Sequence, residues 1–309
     1  MVDRAQIRYR GEVYDSDRWR GFRFRPDDIV ISTPPKCGTT WTQMICALLV
    51  LQRPELDRPL STLSPWLDMR TRARRDVVAD LEAQGHRRFI KTHTPLDGLP
   101  LDPSVTYICV GRDPRDVAIS MEGHRDNMDI EAFRAAIREA AAIDGIDVEV
   151  GSPVPPRPDG ERERFWHWVD DDTPPALSGT SLRRTLHHFQ GFWDVRDQPN
   201  VVLLHYDDLK SDLEAQMRGL AGRLGIEVAD DRWASLVAAA DFDAMRSRAG
   251  RLAPRSGDTS LWRDEGRFFR RGSSGQWRSL LDADDLRRYE RRVAALVAPD
   301  VAAWAHPTG

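Results

Sequence analysis

The chain has 309 residues, 40% hydrophobic and 30% charged, which allows one or two domains with a substantial core and a water-facing surface. Its 45 basic and 49 acidic residues leave a net charge of −4, so bulk electrostatics make no case for nucleic acid. Three cysteines in apolar or loop contexts argue against a disulfide framework and suit a reducing cytoplasm. The N-terminal stretch 1–25 is charged and aromatic, unlike a secretory signal, and the longest apolar run, Met44–Leu51, is too short to cross a bilayer. A lipid substrate would be met at a membrane surface, with peripheral contact at most.

Residues 1–27 carry Tyr9, Tyr14, Trp19, Phe22 and Phe24 among arginines and read as an arm packing aromatics onto one domain spanning 1–309. Ile29-Val30-Ile31 predicts a buried strand over 28–32. A stiff turn follows, Thr33-Pro34-Pro35-Lys36-Cys37-Gly38, and then an apolar helical pattern over 38–52. A strand, a loop with lysine and glycine, and a helix start form a phosphate-holding device, because free N–H groups and the helix dipole face the anion. The loop is not a Walker A motif, since Lys36 precedes Gly38 instead of following the last glycine. Residues 53–65 read as a proline-punctuated loop, either a connector or a wall of an acceptor pocket, and 71–84 as a charged helix.

A short strand over 88–92 ends at Lys91-Thr92-His93, and ligands of open α/β sheets sit beyond the carboxyl ends of strands. An imidazole there suits a general base, because a hydroxyl nucleophile needs somewhere to send its proton; the alternative is a structural histidine. Val105–Val110 is another strand, followed by Gly111-Arg112-Asp113-Pro114, with Asp113 as N-cap and Pro114 in the first helical turn. Arg112 and Ser120, two turns apart, suit a terminal phosphate, unless Arg112 pairs with Asp113 or Asp116. Residues 121–190 show no clear period. Phe165-Trp166-His167-Trp168 either covers an apolar acceptor or belongs to the core, and His124, His187 and His188 lack metal-ligand spacing. Residues 200–206 form a buried-type strand, 212–224 a helix ending at Gly225, and 283–297 a last amphipathic helix.

Lysine is rare. Of the 45 basic residues only Lys36, Lys91 and Lys210 are lysines, and two of them lie in these motifs. A compact ammonium there does something a guanidinium does not; Lys210 reads as a surface residue.

Four stretches together resemble the sulfotransferases that use 3′-phosphoadenosine 5′-phosphosulfate (PAPS). Pro35-Lys36-Cys37-Gly38-Thr39-Thr40-Trp41 resembles their 5′-phosphosulfate loop, and Lys91-Thr92-His93 their Lys-Thr-His segment with its basic histidine. Arg112 to Ser120 resembles the 3′-phosphate motif, and Phe268-Phe269-Arg270-Arg271-Gly272 to Trp277 the C-terminal glycine-rich motif. The likeness spans roughly 28–280 and is notable for bacterial members assigned glycolipid acceptors. It implies a three-layer α/β fold of P-loop type, with a central parallel sheet flanked by helices. It also implies in-line transfer of a sulfuryl group from PAPS to a hydroxyl of a small-molecule or glycolipid acceptor, releasing PAP, with no metal.

By resemblance, His93 would be the base, with Lys36 and Lys91 stabilising charge. Lys36, Cys37, Gly38, Thr39, Thr40 and Trp41 would hold the 5′-phosphate, and Arg112, Ser120, Arg270, Arg271 and Gly272 the 3′-phosphate. Tyr206, Phe242 and Phe268 would line the nucleotide, under a lid over 245–280. Cys37 replaces the usual serine, and a thiol beside Lys36 at a helix start is expected to be acidic. Arg271 replaces lysine and Gln276 aspartate. A homodimer is allowed by the likeness, though no good copy of the family's dimer motif is found. A P-loop kinase or a non-catalytic adenosine-nucleotide binder remain the alternatives.

Overall fold

Ile29–Ser32, Phe89–Thr92, Thr106–Gly111 and Val201–His205 pair in parallel as β1 to β4, in the order β2-β1-β3-β4. The computed structural model describes residues 6–148, 150–151, 157–257 and 259–307. Register sets Ile31 opposite both Lys91 and Ile108, and Cys109 opposite Leu203. Successive side chains of a strand face opposite ways, so the apolar runs feed two cores. Ile29, Ile31, Phe89, Ile108 and Val110 join one cluster; Val30, Ile90, Tyr107 and Cys109 join the other. The result is the expected three-layer α/β arrangement.

The helices, in chain order, begin with α1 (Thr39–Leu51), α2 (Leu60–Leu63), α3 (Arg74–Ala83) and α4 (Pro114–Asn127). Then come α5 (Ile130–Asp144), α6 (Glu161–Asp170), α7 (Leu182–Trp193) and α8 (Tyr206–Ser211). The rest are α9 (Leu213–Leu224), α10 (Trp233–Ala240), α11 (Phe242–Arg246), α12 (Ala249–Leu252), α13 (Ala283–Ala294) and α14 (Pro299–Ala305). Helices α1, α9 and α10 cover the first face; α4, α6, α7 and α13 cover the second.

Helix α4 starts where Asp113 and Pro114 place it: the Asp113 carboxylate accepts the Arg115 N–H, and Pro114 occupies the first turn. Elsewhere the elements differ from expectation. The loop 53–65 contains α2, and Tyr206 opens α8 instead of ending a strand. The last helix stops at Ala294, and Pro299 begins another. The stretch without clear period holds the end of α4, all of α5 and α6 and most of α7, and the alanines of α5 dilute its apolar stripe. Phe165, Trp166 and Trp168 are buried, so they serve the core.

The N-terminal arm buries Tyr9, Tyr14 and Trp19, with Phe22 and Phe24 packed on Trp19 at 5.6 and 6.0 Å. Its inner end meets a buried ion pair. Arg88, just before β2, donates from Nε to Asp28 Oδ1 at 2.8 Å and from Nη2 to Oδ2, and both side chains are 1% exposed. This pair clamps the starts of β1 and β2. Removing one partner of such a pair leaves an uncompensated charge, at a cost of about 3–5 kcal/mol. Asp28→Asn is expected to lower unfolding free energy by that amount in urea titrations; a loss under 1 kcal/mol would refute the clamp.

Candidate active site

The sheet order reverses between β1 and β3, and the loops leaving their carboxyl ends make a crevice where α/β proteins bind ligands. After β1 the chain turns through Thr33–Gly38 into α1. Two residues of this turn lie in the left-handed region, Gly38 at φ 94° and Lys36 at φ 69°. Gly38 adopts it freely, and a Cβ there would sit 3.1 Å from the Tyr206 ring. For Lys36 the conformation costs on the order of 1–3 kcal/mol, a strain that clusters at functional sites.

The turn is held from β3. Arg112 donates from Nη1 to the Lys36 carbonyl at 2.7 Å and from Nη2 to the Ser273 carbonyl at 3.1 Å, with its guanidinium 4.3 Å from the Tyr206 ring centroid. Its buried Nε has no hydrogen-bond partner. The neighbouring carboxylates do not pair with it. Asp113 binds Arg115 and the Trp277 Nε1–H, while Asp116 accepts the N–H groups of Gly275 and Gln276 at 2.7 and 2.8 Å. These bonds anchor the segment after Gly272 to α4. No side chain caps α1, so the N–H groups of its first turn stay open to an anion.

At the end of β2, Lys91 places its ammonium 4.4 Å from the Trp66 ring centroid, and the same indole meets the His93 ring edge-on at 4.7 Å. His93 Nδ1 lies 2.7 Å from the Thr33 carbonyl. A carbonyl only accepts, so the hydrogen bond assigns the proton to Nδ1 and leaves Nε2 as a proton acceptor. Burial, and then Lys91, hold the imidazole well below its usual range. It is neutral at working pH.

Of the residues that the family resemblance assigns to the site, all but Cys37 line one cavity of about 280 Å³. Its described lining includes the cations Lys36, Lys91, Arg112, Arg267, Arg270 and Arg271 and no carboxylate. Burial, then Arg112, Lys91 and Arg270, push the Lys36 pKa down to about 7; burial brings Lys91 to about 8, opposed by Asp68. Cations crowded together with an orphaned Arg112 N–H fit a multiply charged anion. Tyr206 and Phe242 border the Arg112 side, and Phe268 lies with its ring centroid 5.1 Å from the Lys36 ammonium. Ser120 lines the cavity from α4. Among the described residues no group of three or more histidines, cysteines or carboxylates is placed to hold a metal, and no helix is long and apolar enough to cross a membrane.

Cys37 corrects the expectation of an acidic thiol. It is fully buried in the core on the α4 side, and burial pushes its pKa up to about 12, outweighing Arg112 and Lys36. Among the cavity residues that the sequence did not mark as part of the site are Trp66, Trp262 and His124, whose Nδ1 lies 3.3 Å from the Lys36 ammonium. His124 stands one turn beyond Ser120 on α4, and that i, i+4 spacing was the available signal. The two tryptophans lie in connecting segments with no period.

The sulfotransferase domain family matches residues 26–298. The chain belongs to the sulfotransferase family. A glycolipid sulfotransferase of Mycobacterium bovis is 43% identical over 99% of this chain and 95% of its own length, and that of Mycobacterium tuberculosis H37Rv is equally similar. Sulfotransferase 1E1 of Cavia porcellus is 22% identical, covering 89% of this chain and 85% of its own. Among solved structures, mouse sulfotransferase SULT7A1 complexed with PAP superposes with a TM-score of 0.66 at 19% identity, covering 94% of each chain. Retinol dehydratase in complex with retinol and PAP gives 0.65 at 18%, covering 92% of this chain and 84% of that one. At these identities the structures establish the fold.

Two outcomes test this sulfotransferase's site. All three cysteines are buried, so the native protein is expected to leave Cys37, Cys46 and Cys109 unreacted with a thiol reagent at pH 8, and denaturant to release three thiols. A fast-reacting Cys37 would refute its burial. The Lys36 penalty is full below pH about 7, where native and unfolded chains both hold the proton. Between about 7 and 10.5 only the unfolded chain keeps it, so native stability rises with pH in that window. Calorimetry of Lys36→Met should show the largest gain in Tm at pH 6 and a gain fading toward pH 10.

Proposed function

We propose that this sulfotransferase moves the sulfuryl group of PAPS to a hydroxyl of an amphipathic small molecule, with a glycolipid the best-supported class. The observation that carries the reading is the carboxylate-free cavity, in which six cations and the open start of α1 face a neutral histidine. Similarity to glycolipid sulfotransferases over nearly the whole chain supports the acceptor class, as does the apolar far wall with Met69, Met128, Phe133 and Trp262.

PAPS, when bound, supplies an activated sulfuryl group on its 5′-phosphate. The N–H groups of Gly38, Thr39, Thr40 and Trp41 would hold that phosphate, with Cys37 contributing backbone only. Arg112, Ser120, Arg270, Arg271 and Gly272 would hold the 3′-phosphate, and Tyr206, Phe242 and Phe268 would border the nucleotide. Residues 245–280 would act as its lid. His93 Nε2 takes the acceptor's proton as the new oxygen–sulfur bond forms, and Lys36 meets the charge left on the departing phosphate oxygen. Lys91 assists on the sulfuryl side. Such preorganised donors are typically worth ~10²–10³ in rate each.

Incubation with ³⁵S-labelled PAPS and a cell-lipid extract is expected to label a hydroxyl-bearing lipid without added divalent metal. His93→Ala should lower turnover by ~10²–10⁴ while PAP affinity by calorimetry stays within about twofold. Equal loss of both, or full turnover, would overturn the base assignment. Because His93 is held well below its usual range, its protonation should add no acid limb to kcat/KM between pH 8 and about 6, and any change in that window should follow the Lys36 and Lys91 ammonium groups, disappearing for the Lys36 part in Lys36→Met.

A further inference from the structure

One buried titratable group in the cavity is left without a role by the reading above. The Lys36 ammonium reaches one hydrogen-bonding side chain among the described residues, His124, at 3.3 Å from Nζ to Nδ1. A protonated lysine only donates, so Nδ1 accepts and the imidazole proton sits on Nε2. The ring is boxed in by lid aromatics. Trp262 stacks tilted at 4.8 Å and Phe268 stands edge-on at 6.0 Å, with Trp262 tied to the Pro254 carbonyl through Nε1 at 2.7 Å. Phe268 also contacts the Lys36 ammonium, so lysine, imidazole and phenyl ring form one closed contact.

The helix delivering His124 is built for close approach at this point. Gly123 precedes it, and a Cβ there would lie 2.8 Å from Arg270 Nη1, so the lid arginine crosses α4 beside His124. The histidine thus stands where the cationic end of the cavity meets its aromatic end. An acceptor atom for the ammonium is scarce here, since no carboxylate lines the cavity.

We propose that His124 is a positioning residue, whose Nδ1 fixes the direction of the Lys36 ammonium and favours its charged form for transfer. This rests on the role given to Lys36 above. The groups facing Lys36 are Arg112 after β3, Lys91 on β2, Arg270 of the lid and the Cys37 thiol; those facing His124 are Lys36, Lys91, His93 and Arg125. All of the charged ones are cations, and among the described residues it is the His124 imidazole that comes within hydrogen-bond reach of the lysine. The working ring is the neutral one, as burial keeps His124 well below its usual range.

The rarity of lysine makes the test direct. Protein labelled with ¹³C at the lysine ε carbon has three side chains to resolve, Lys36, Lys91 and Lys210, with Lys36→Met assigning the signal. His124→Phe keeps an aromatic ring and removes the acceptor; His124→Asn keeps an acceptor near the Nδ1 position. A hydrogen bond to a charged group is worth about 1.5–3 kcal/mol, so the Lys36 midpoint should fall by about one to two pH units in the phenylalanine variant and return in the asparagine variant. Turnover of labelled PAPS should fall about tenfold in His124→Phe, its alkaline limb moving to lower pH, and recover in His124→Asn, with KM for PAPS changed less than threefold. An unmoved Lys36 midpoint in His124→Phe overturns the proposal whether or not the wild type transfers sulfate. Normal titration behaviour in a wild type without PAPS-dependent turnover would instead overturn the functional reading, and with it the catalytic part of this proposal.

Discussion

The hydrogen bond from Arg112 Nη1 to the Lys36 carbonyl is the contact on which the site depends. It joins the turn after β1 to the end of β3 across the point where the sheet order reverses. It also holds Lys36 in a backbone conformation that a lysine would otherwise leave. The same arginine reaches the Ser273 carbonyl, so one guanidinium fastens both the turn after β1 and the segment after Gly272. An arginine paired with Asp113 or Asp116 would do neither.

The carboxylates nearby are spent elsewhere, and that division defines the chemistry. Asp113 takes Arg115 and Trp277; Asp116 takes two backbone N–H groups of the C-terminal segment. The C-terminal segment is therefore pinned by carboxylates that stay out of the cavity. What remains inside is positive charge, dear to bury alone and relieved by an anion. Desolvation and the neighbouring cations push Lys36 down to about 7, and an anion beside it would favour its charged form.

The sequence announces this anionic end because it is local. Strand, turn and helix start fall within 28–49, Lys91 and His93 are two residues apart, and Asp113-Pro114 marks the start of α4. Each signal is a short-range rule about backbone, caps or charge. Cys37 misled because its side-chain direction is tertiary: the turn faces it into the core, where desolvation beats the helix dipole. His124 was hidden for a similar reason. Its spacing from Ser120 was visible, but its partner, Lys36, lies 88 positions away. Of the next helices, alanines thin the apolar stripe of α5, whereas Leu182, Leu186, Phe189 and Phe192 of α7 keep a helical spacing that was legible and was missed.

The apolar end of the cavity is encoded differently, and this explains why its ligand is the hardest property to read. Val13 and Tyr14 come from the N-terminal arm, Trp66 and Met69 from the segment after α2, Met128 and Phe133 from the α4–α5 junction, and Trp262 from the C-terminal part. No two of these groups are neighbours in sequence, and apart from the hydrogen bonds of Tyr14 to the Ser178 carbonyl and of Trp262 to the Pro254 carbonyl they contribute mainly apolar volume. Val13 and Tyr14 even lie outside the matched sulfotransferase domain, which begins at residue 26. Folds with TM-scores of 0.65–0.66 persist at 18–19% identity. An anion site demands particular donors in particular places, whereas an apolar wall demands only volume. Selection on the acceptor can therefore rewrite the wall while the cationic end and its sheet stay as they are.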